Sequence, residues 1–164
     1  VSASCRIIVY GNAGSGKTTV AVALSRAHGI PHLDLDSIAW ADGAQRRPLA
    51  DSVADLRRFI ETNPGWVIEG CYGDLVQAAL PWCTQLRFLN PGVGACLQRC
   101  RARAWEPHKF RSREEQDRML ESLLDWVRQY ETRNDEFSLA RHRAIFRDFR
   151  GDKREYGEHD SPVD

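Results

Sequence analysis

Gly11-Asn12-Ala13-Gly14-Ser15-Gly16-Lys17-Thr18 fits the pattern G-x-x-x-x-G-K-[ST], and it directly follows the apolar run Ile7-Ile8-Val9-Tyr10. That run reads as a buried strand of a parallel sheet. Glycines let the backbone curl so that successive N–H groups point inward at an anion, and the N-terminus of the next helix adds partial positive charge. Lys17 supplies a mobile cation for β- and γ-phosphates, and the Thr18 hydroxyl suits Mg²⁺. The nucleotide-binding candidates are therefore Gly11, Asn12, Ala13, Gly14, Ser15, Gly16, Lys17, Thr18 and Thr19. A glycine-rich turn that binds nothing is the alternative; the rarity of the four fixed positions and their placement between a strand and an apolar helix weigh against it.

Working outward, residues 17–28 are helix-forming with Val20 and Leu24 on an apolar side, and Gly29-Ile30-Pro31 ends the run. His32-Leu33-Asp34-Leu35-Asp36 reads as a second strand. Leu49, Val53, Leu56, Phe59 and Ile60 recur at helical spacing up to Asn63-Pro64-Gly65. Trp66-Val67-Ile68-Glu69 is a third strand, a short helix runs from Asp74 to Pro81, and Leu86-Arg87-Phe88-Leu89 is a fourth strand, followed by a helix through Cys96, Leu97 and Cys100. Strands alternating with helices predict a three-layer α/β fold with a parallel sheet of four or five strands. Beyond Trp105-Glu106-Pro107 the rhythm changes: Ser112-x-x-Glu115 reads as a capping box before a helix carrying Leu120, Leu124 and Val127, and a last helix starts near Ser138. A fifth strand is not evident; residues 144–149 are the one candidate for it. Residues 1–157 read as a single domain, and 158–164, which include Ser161-Pro162, as a loosely held tail.

The chain's 164 residues suffice for one core. Lys plus Arg and Asp plus Glu each number 23, so no global field favours nucleic acid or an anionic membrane, and a polyanion must be met by a local patch. Five cysteines without a C-x-x-C motif read as reduced structural thiols. With no membrane-length apolar run and no export signal, the expected location is the cytoplasm.

In an open parallel sheet a ligand lies beyond the carboxyl ends of the strands, so polar residues there are informative. Strand alternation puts Asp34 and Asp36 on one side, a pair suited to binding Mg²⁺, deprotonating a hydroxyl or hydrogen-bonding a polyol, unless both merely cap a solvated strand end. Glu69 either holds a Mg²⁺ water or caps the following turn. Arg99, Arg101, Arg103, His108, Lys109, Arg111 and Arg113 form the one dense basic segment. It suits a lid that stabilises charge on a transferring phosphoryl group, a solvated face, or a patch for nucleic-acid phosphates. Trp40 and Tyr72 are candidate walls of an acceptor pocket, Trp66 a core-edge residue, and His142 and His28 packing or capping residues.

GNAGSGKTT, HLDLDSIAW, WVIEGCY and LRFLNP with the arginine-bearing segment after it, spanning residues 5–113, together resemble the small P-loop kinases of the adenylate kinase and shikimate kinase group, including bacterial relatives described as topology modulation proteins. The resemblance implies transfer of the ATP γ-phosphoryl group, with Mg²⁺, to a small-molecule or nucleotide acceptor. It implies roles for Lys17, Asp34, Asp36 and Arg103 in catalysis and for Thr18 and Glu69 at the metal. Arg103 sits where such kinases carry a lid arginine. The triple glycine of shikimate kinase is replaced by Glu69-Gly70-Cys71-Tyr72-Gly73, and the D-G-[FY]-P-R signature of adenylate kinase and an N-K-x-D guanine motif are absent. The acceptor is therefore open. The rival expectations are a nucleotide-binding regulatory ATPase module and a polynucleotide 5′-end kinase; nucleic acid is the less favoured partner, and a membrane is not expected.

Overall fold

The computed structural model describes residues 4–42 and 45–164. The chain runs β1 (Arg6–Gly11), α1 (Lys17–His28), β2 (His32–Asp34), the one-turn α2 (Asp36–Ala39), a small hairpin of β3 (Trp40–Ala41) and β4 (Gln45–Arg46), then α3 (Leu49–Thr62). It continues through β5 (Trp66–Gly70), α4 (Gly73–Ala79), β6 (Gln85–Leu89), α5 (Val93–Arg101), α6 (Arg113–Arg128), α7 (Leu139–Asp148) and β7 (Asp152–Tyr156).

Five strands form one sheet in the order β2-β5-β1-β6-β7, every neighbouring pair parallel. The alternation of β1 explains its two covered faces. Ile7 and Val9 pack with Val20, Ala21 and Leu24 of α1, whereas Ile8 and Tyr10 join Leu56, Leu75, Phe88 and Ile145 on the other side. All four β1 residues are fully buried, as a central strand between helical layers requires. Trp66, read from sequence as a core-edge residue, is fully buried within the core. A third cluster, Cys96, Cys100, Leu124 and Val127, joins α5 to α6 beside Ala13. All five cysteines are free thiols.

Two departures from the sequence reading matter. The fifth strand exists, but it is Asp152–Tyr156, and residues 144–148 belong to α7. Its charged sequence disguised it, because an edge strand buries little: only Tyr156 of the five is buried. Lys153 ties the strand to α7, its Nζ donating to the Phe146 and Phe149 carbonyls at 2.6 and 2.8 Å and neutralising the negative end of the helix. The second departure is that β2 stops at Asp34, and Asp36 opens α2. The two carboxylates are therefore brought together by a turn rather than by strand alternation. The capping box at Ser112 forms, with Glu115 N–H donating to Ser112 Oγ at 3.1 Å, although the Glu115 carboxylate reaches back to the N–H of Arg111.

His142 on α7 is fully buried. Its Nδ1 lies 2.7 Å from the Tyr130 hydroxyl and its Nε2 2.9 Å from the Cys71 carbonyl. Nε2 therefore carries the proton toward the carbonyl, and Nδ1 accepts from Tyr130. Burial holds the imidazole pKa down to about 4. In the unfolded chain it titrates at about 6.5, so as pH falls from about 6.5 to about 4 the unfolded state takes a proton that the folded state refuses. This group's contribution to stability is lost over that window, roughly 3 kcal/mol in all. The urea midpoint of the parent protein should fall more between pH 7 and pH 4.5 than that of His142→Asn; equal falls would show that His142 does not set the acid limit.

Candidate active site

The phosphate loop leaves β1 at Gly11 and enters α1 at Lys17. Gly14 has φ of +79°, and a Cβ there would stand 2.4 Å from the Cys96 carbonyl oxygen, so both conformation and contact with α5 demand glycine. At Gly11 a Cβ would meet the Leu89 carbonyl at 2.2 Å. Inside the loop, Ser15 N–H and Lys17 Nζ both donate to the Asn12 carbonyl, at 3.2 and 2.7 Å. Ser15 Oγ is buried without a protein partner. Arg99 of α5 donates to the Ser15 carbonyl at 2.8 Å, which fixes its guanidinium against the outside of the loop.

Register places Glu69 beside Val9 on one side and Asp34 on the other. Glu69 is 2 % exposed and accepts from the Thr18 hydroxyl at 2.9 Å; His32 Nε2 lies 3.4 Å from the same oxygen. Asp34 accepts from the Asp36 N–H at 2.9 Å. Burial, then the charges of Glu69 and Asp36, raise the Asp34 carboxyl to a pKa of about 6 against a hydrogen bond and Lys109 that pull it down. Asp36 has partners on both oxygens. The Tyr72 hydroxyl donates to one while itself accepting from Trp40 Nε1 at 2.7 Å, and Lys109 Nζ lies 3.6 Å from the other.

Lys17, Thr18, Asp34, Asp36, Glu69 and Arg103 all border one cleft of about 490 Å³. Arg99, Arg103 and Lys109 converge with Lys17, Thr18 and Thr19 on an adjoining cavity of about 400 Å³ on the phosphate-loop side. Among the described residues Arg103 has no carboxylate partner, whereas Lys109 pairs with Asp36 and, at 3.5 Å, with Glu106. Burial opposes the Lys109 charge, but the carboxylates of Asp36, Glu106 and Asp34 outweigh it and raise its pKa. On the other side of the loop, Arg99, Gly16, Leu89, Tyr156, Gly157 and Val163 enclose a third cavity of about 370 Å³. There the C-terminal residues are held partly by Arg87, which donates to the Pro162 carbonyl.

The predicted residues thus meet at the carboxyl edge of the sheet. Of the basic segment, Arg101, Arg111 and Arg113 border none of these three cavities. Sequence reasoning missed Lys109 as the partner of Asp36, and missed Phe110, Met119, Leu123, Trp126 and Phe137 as cleft walls. The apolar spacing of residues 119–126 was legible, but nothing local says that a helix shows part of its apolar face to a cleft. Two carboxylates and a threonine hydroxyl beside a phosphate loop fit Mg²⁺, which takes one or two protein ligands and completes its shell with water and phosphate. Among the described residues there is no group of three or more His, Cys, Asp or Glu that could hold a metal ion.

A five-stranded parallel sheet whose central strand opens into a G-x-x-x-x-G-K-T loop, with the sheet order seen here, is the fold of the P-loop small-molecule kinases. Solved structures share it. A gluconokinase from Sinorhizobium meliloti 1021 superimposes with a TM-score of 0.56 at 17% identity, over 98% of this chain and 86% of that one. A sugar kinase from Janibacter sp. HTCC2649 gives 0.52 at 12% identity, over 97% and 88%. A shikimate kinase from Bacteroides thetaiotaomicron gives 0.50 at 17% identity, over 87% and 97%. At such identities the likeness is one of fold. No protein-family model and no curated protein sequence matches the chain. No helix among the described residues is long and apolar enough to cross a membrane.

The raised pKa of Asp34 has a sign opposite to that of His142. Its folded value of about 6 exceeds the unfolded value of about 3.9. Stability from this group is full below about pH 4 and is lost as pH rises through about 6. Asp34→Asn should therefore melt at a higher temperature than the parent at pH 7.5 without nucleotide or metal. The gain is roughly 1–2 kcal/mol after allowance for solvent screening, shrinking toward pH 4. A melting temperature equal to or below the parent's at pH 7.5 would show that Asp34 carries no ionisation penalty.

Proposed function

We propose that the chain is a Mg-ATP-dependent phosphotransferase that moves the γ-phosphoryl group of ATP to a hydroxyl of a small acceptor. The observation that carries this reading is the meeting of Lys17, Thr18-Glu69, Asp34 and Arg103 around one cleft at the end of the phosphate loop. Charge-handling groups for a donor and a carboxylate for an acceptor then lie on opposite sides of one reacting centre.

In this reading the loop N–H groups and Lys17 bind the β- and γ-phosphates. Arg99 and the segment around Tyr156 and Val163 hold the donor's base in the third cavity, whose apolar residues, with Arg99 against Glu158 and Asp160, suit a flat heterocycle with polar edges. Thr18 and Glu69 hold Mg²⁺, which when bound neutralises charge between the β- and γ-oxygens. Asp34 accepts the proton of the attacking hydroxyl. Its pKa near 6 keeps it ionised at neutral pH yet basic enough for the task. Asp36, with both oxygens engaged, orients Tyr72 and the lid rather than taking the proton. The acceptor oxygen bonds to the γ-phosphorus, the bond from that phosphorus to the β–γ bridging oxygen breaks, and ADP leaves. Arg103 stabilises charge on the equatorial oxygens during transfer.

Saturating Mg-ATP should stabilise the protein by about 2.7 kcal/mol at a hundredfold excess over Kd. Lys17→Ala should remove most of that gain, read as a thermal shift, and an unshifted parent would sink the donor-site reading. Arg103→Ala should lower turnover by about 10²-fold or more while leaving the Mg-ATP shift nearly intact. Unchanged turnover would return the segment to a solvated face, and ADP release driven by oligonucleotide ends instead of metabolites would favour the polynucleotide reading.

A further inference from the structure

The cleft is divided by chemistry. Its charged and polar residues, Lys17, Thr18, Asp34, Asp36, Glu69, Arg103 and Lys109, come from the phosphate loop and the helix it opens, the sheet's carboxyl edge and the segment between α5 and α6. The rest of the lining is Phe110, Met119, Leu123, Trp126, Phe137, Trp40 and Tyr72, with Ala13, Gly70 and Cys71. Trp126 and Tyr72 each meet Phe137 edge to face with ring centroids 5.4 Å apart, so three rings make one continuous aromatic row.

Two polar atoms of this wall are already engaged. Trp40 Nε1 donates to Tyr72, and the Tyr72 hydroxyl donates to Asp36. Two guanidiniums stack on the row, Arg46 at 4.7 Å from the Tyr72 centroid and Arg133 at 4.5 Å from that of Trp126. Neither offers its charge to a ligand: Arg46 pairs with Asp74 at 3.3 Å and Arg133 with Asp135 at 2.7 Å. Arg46 retains a buried Nε without an acceptor, yet Arg46 does not line the cleft. Cys71 offers little as a polar contact, a thiol being a weak donor and weak acceptor.

A sugar acid lying along this wall would put several hydroxyls against ring faces, with only Arg103 and Lys109, outside the wall, to meet its carboxylate. Each such group buried without a partner costs about 1–3 kcal/mol. A flat ring loses nothing of the kind and gains from stacking on the row. We infer that the acceptor is an uncharged alcohol built on a flat aromatic ring, with the ring against Phe137, Trp126 and Phe110 and the hydroxyl beside Asp34. The inference rests on the phosphotransferase reading and names its substrate class. The reaction is the one already balanced: the ring alcohol's oxygen bonds to the γ-phosphorus of ATP, its proton passes to Asp34, and ADP departs.

The test offers two probe sets to the full chain with Mg-ATP. One contains thymidine, uridine, adenosine, benzyl alcohol and 3-hydroxymethylpyridine; the other contains gluconate, shikimate and glucose. ADP release and product mass report transfer, and quenching of tryptophan fluorescence reports binding. At least one ring alcohol should quench and be phosphorylated with kcat/KM about 10²-fold above any member of the second set. Phe110→Ala and Trp126→Leu should each weaken its binding about tenfold while the Mg-ATP thermal shift, which also certifies folding, stays at the parental size. Transfer to gluconate, shikimate or glucose in preference to every ring alcohol would overturn the inference and leave the kinase reading standing. So would the absence of quenching and transfer by all ring alcohols in a protein that Mg-ATP still stabilises. Ring binding without ADP release would uphold the pocket assignment and defeat the phosphotransferase reading instead.

Discussion

The hydrogen bond from the Thr18 hydroxyl to the buried Glu69 carboxylate, 2.9 Å long, is the contact on which the rest of the site depends. It joins the first turn of α1 to the strand beside β1 and so fixes the angle at which the phosphate loop leaves the sheet. A carboxylate this buried is tolerated only when its oxygens are met, and a lone one would cost several kcal/mol. Thr18 meets one oxygen and His32 approaches the same one. The raised pKa of Asp34 comes first from its burial, and the charge of Glu69, in register beside it, adds to it. One acidic residue at the end of β5 therefore organises the loop helix and tunes the neighbouring strand end.

What the sequence disclosed was whatever is local and periodic. The loop from Gly11 to Thr18, the alternation in β1, the helical spacing from Leu49 to Ile60 and the serine cap at Ser112 each follow from interactions within a few residues. The carboxyl-edge rule then gathered Asp34, Asp36, Glu69 and the loop correctly, although the reason for the Asp34–Asp36 pairing was a turn and not a strand. β7 was illegible for a physical reason. An edge strand that buries Tyr156 alone and shows its charges to water carries no hydrophobic pattern, and its place is set by β6 and by Lys153 capping α7. The aromatic wall was hidden because Tyr72, Trp126 and Phe137 lie in separate parts of the chain and meet only after α6 packs on α5 and the segment following it turns back over α4.

The two titratable groups that most disturb the fold do so for opposite ends. His142 is held neutral in the middle of the protein by burial, against the hydrogen bond to the Cys71 carbonyl that favours its charge, and through Cys71 it supports the backbone just past the end of β5. Asp34 is held in a place that resists its charge, a destabilising arrangement of the kind found where chemistry rather than stability selects the residue. The protein spends stability at Asp34 and recovers rigidity behind it.

Asp36 shows how that rigidity reaches the lid. The chain Trp40–Tyr72–Asp36–Lys109–Glu106 runs from the hairpin, across the cleft floor, to the segment between α5 and α6. The other anchors of that segment are few: Gln116 of α6 holds it by accepting from the Glu106 N–H and donating to the Ala104 carbonyl. At 3.6 Å and partly exposed, the Lys109–Asp36 pair contributes at most about 1 kcal/mol, so it biases the lid without locking it. A molecule entering between Asp36 and the aromatic row competes with Lys109 for the same carboxylate and touches Phe110, one residue on. In the phosphotransferase reading, occupancy of the cleft and the position of Arg103, six residues before Lys109, are linked through this exchangeable contact.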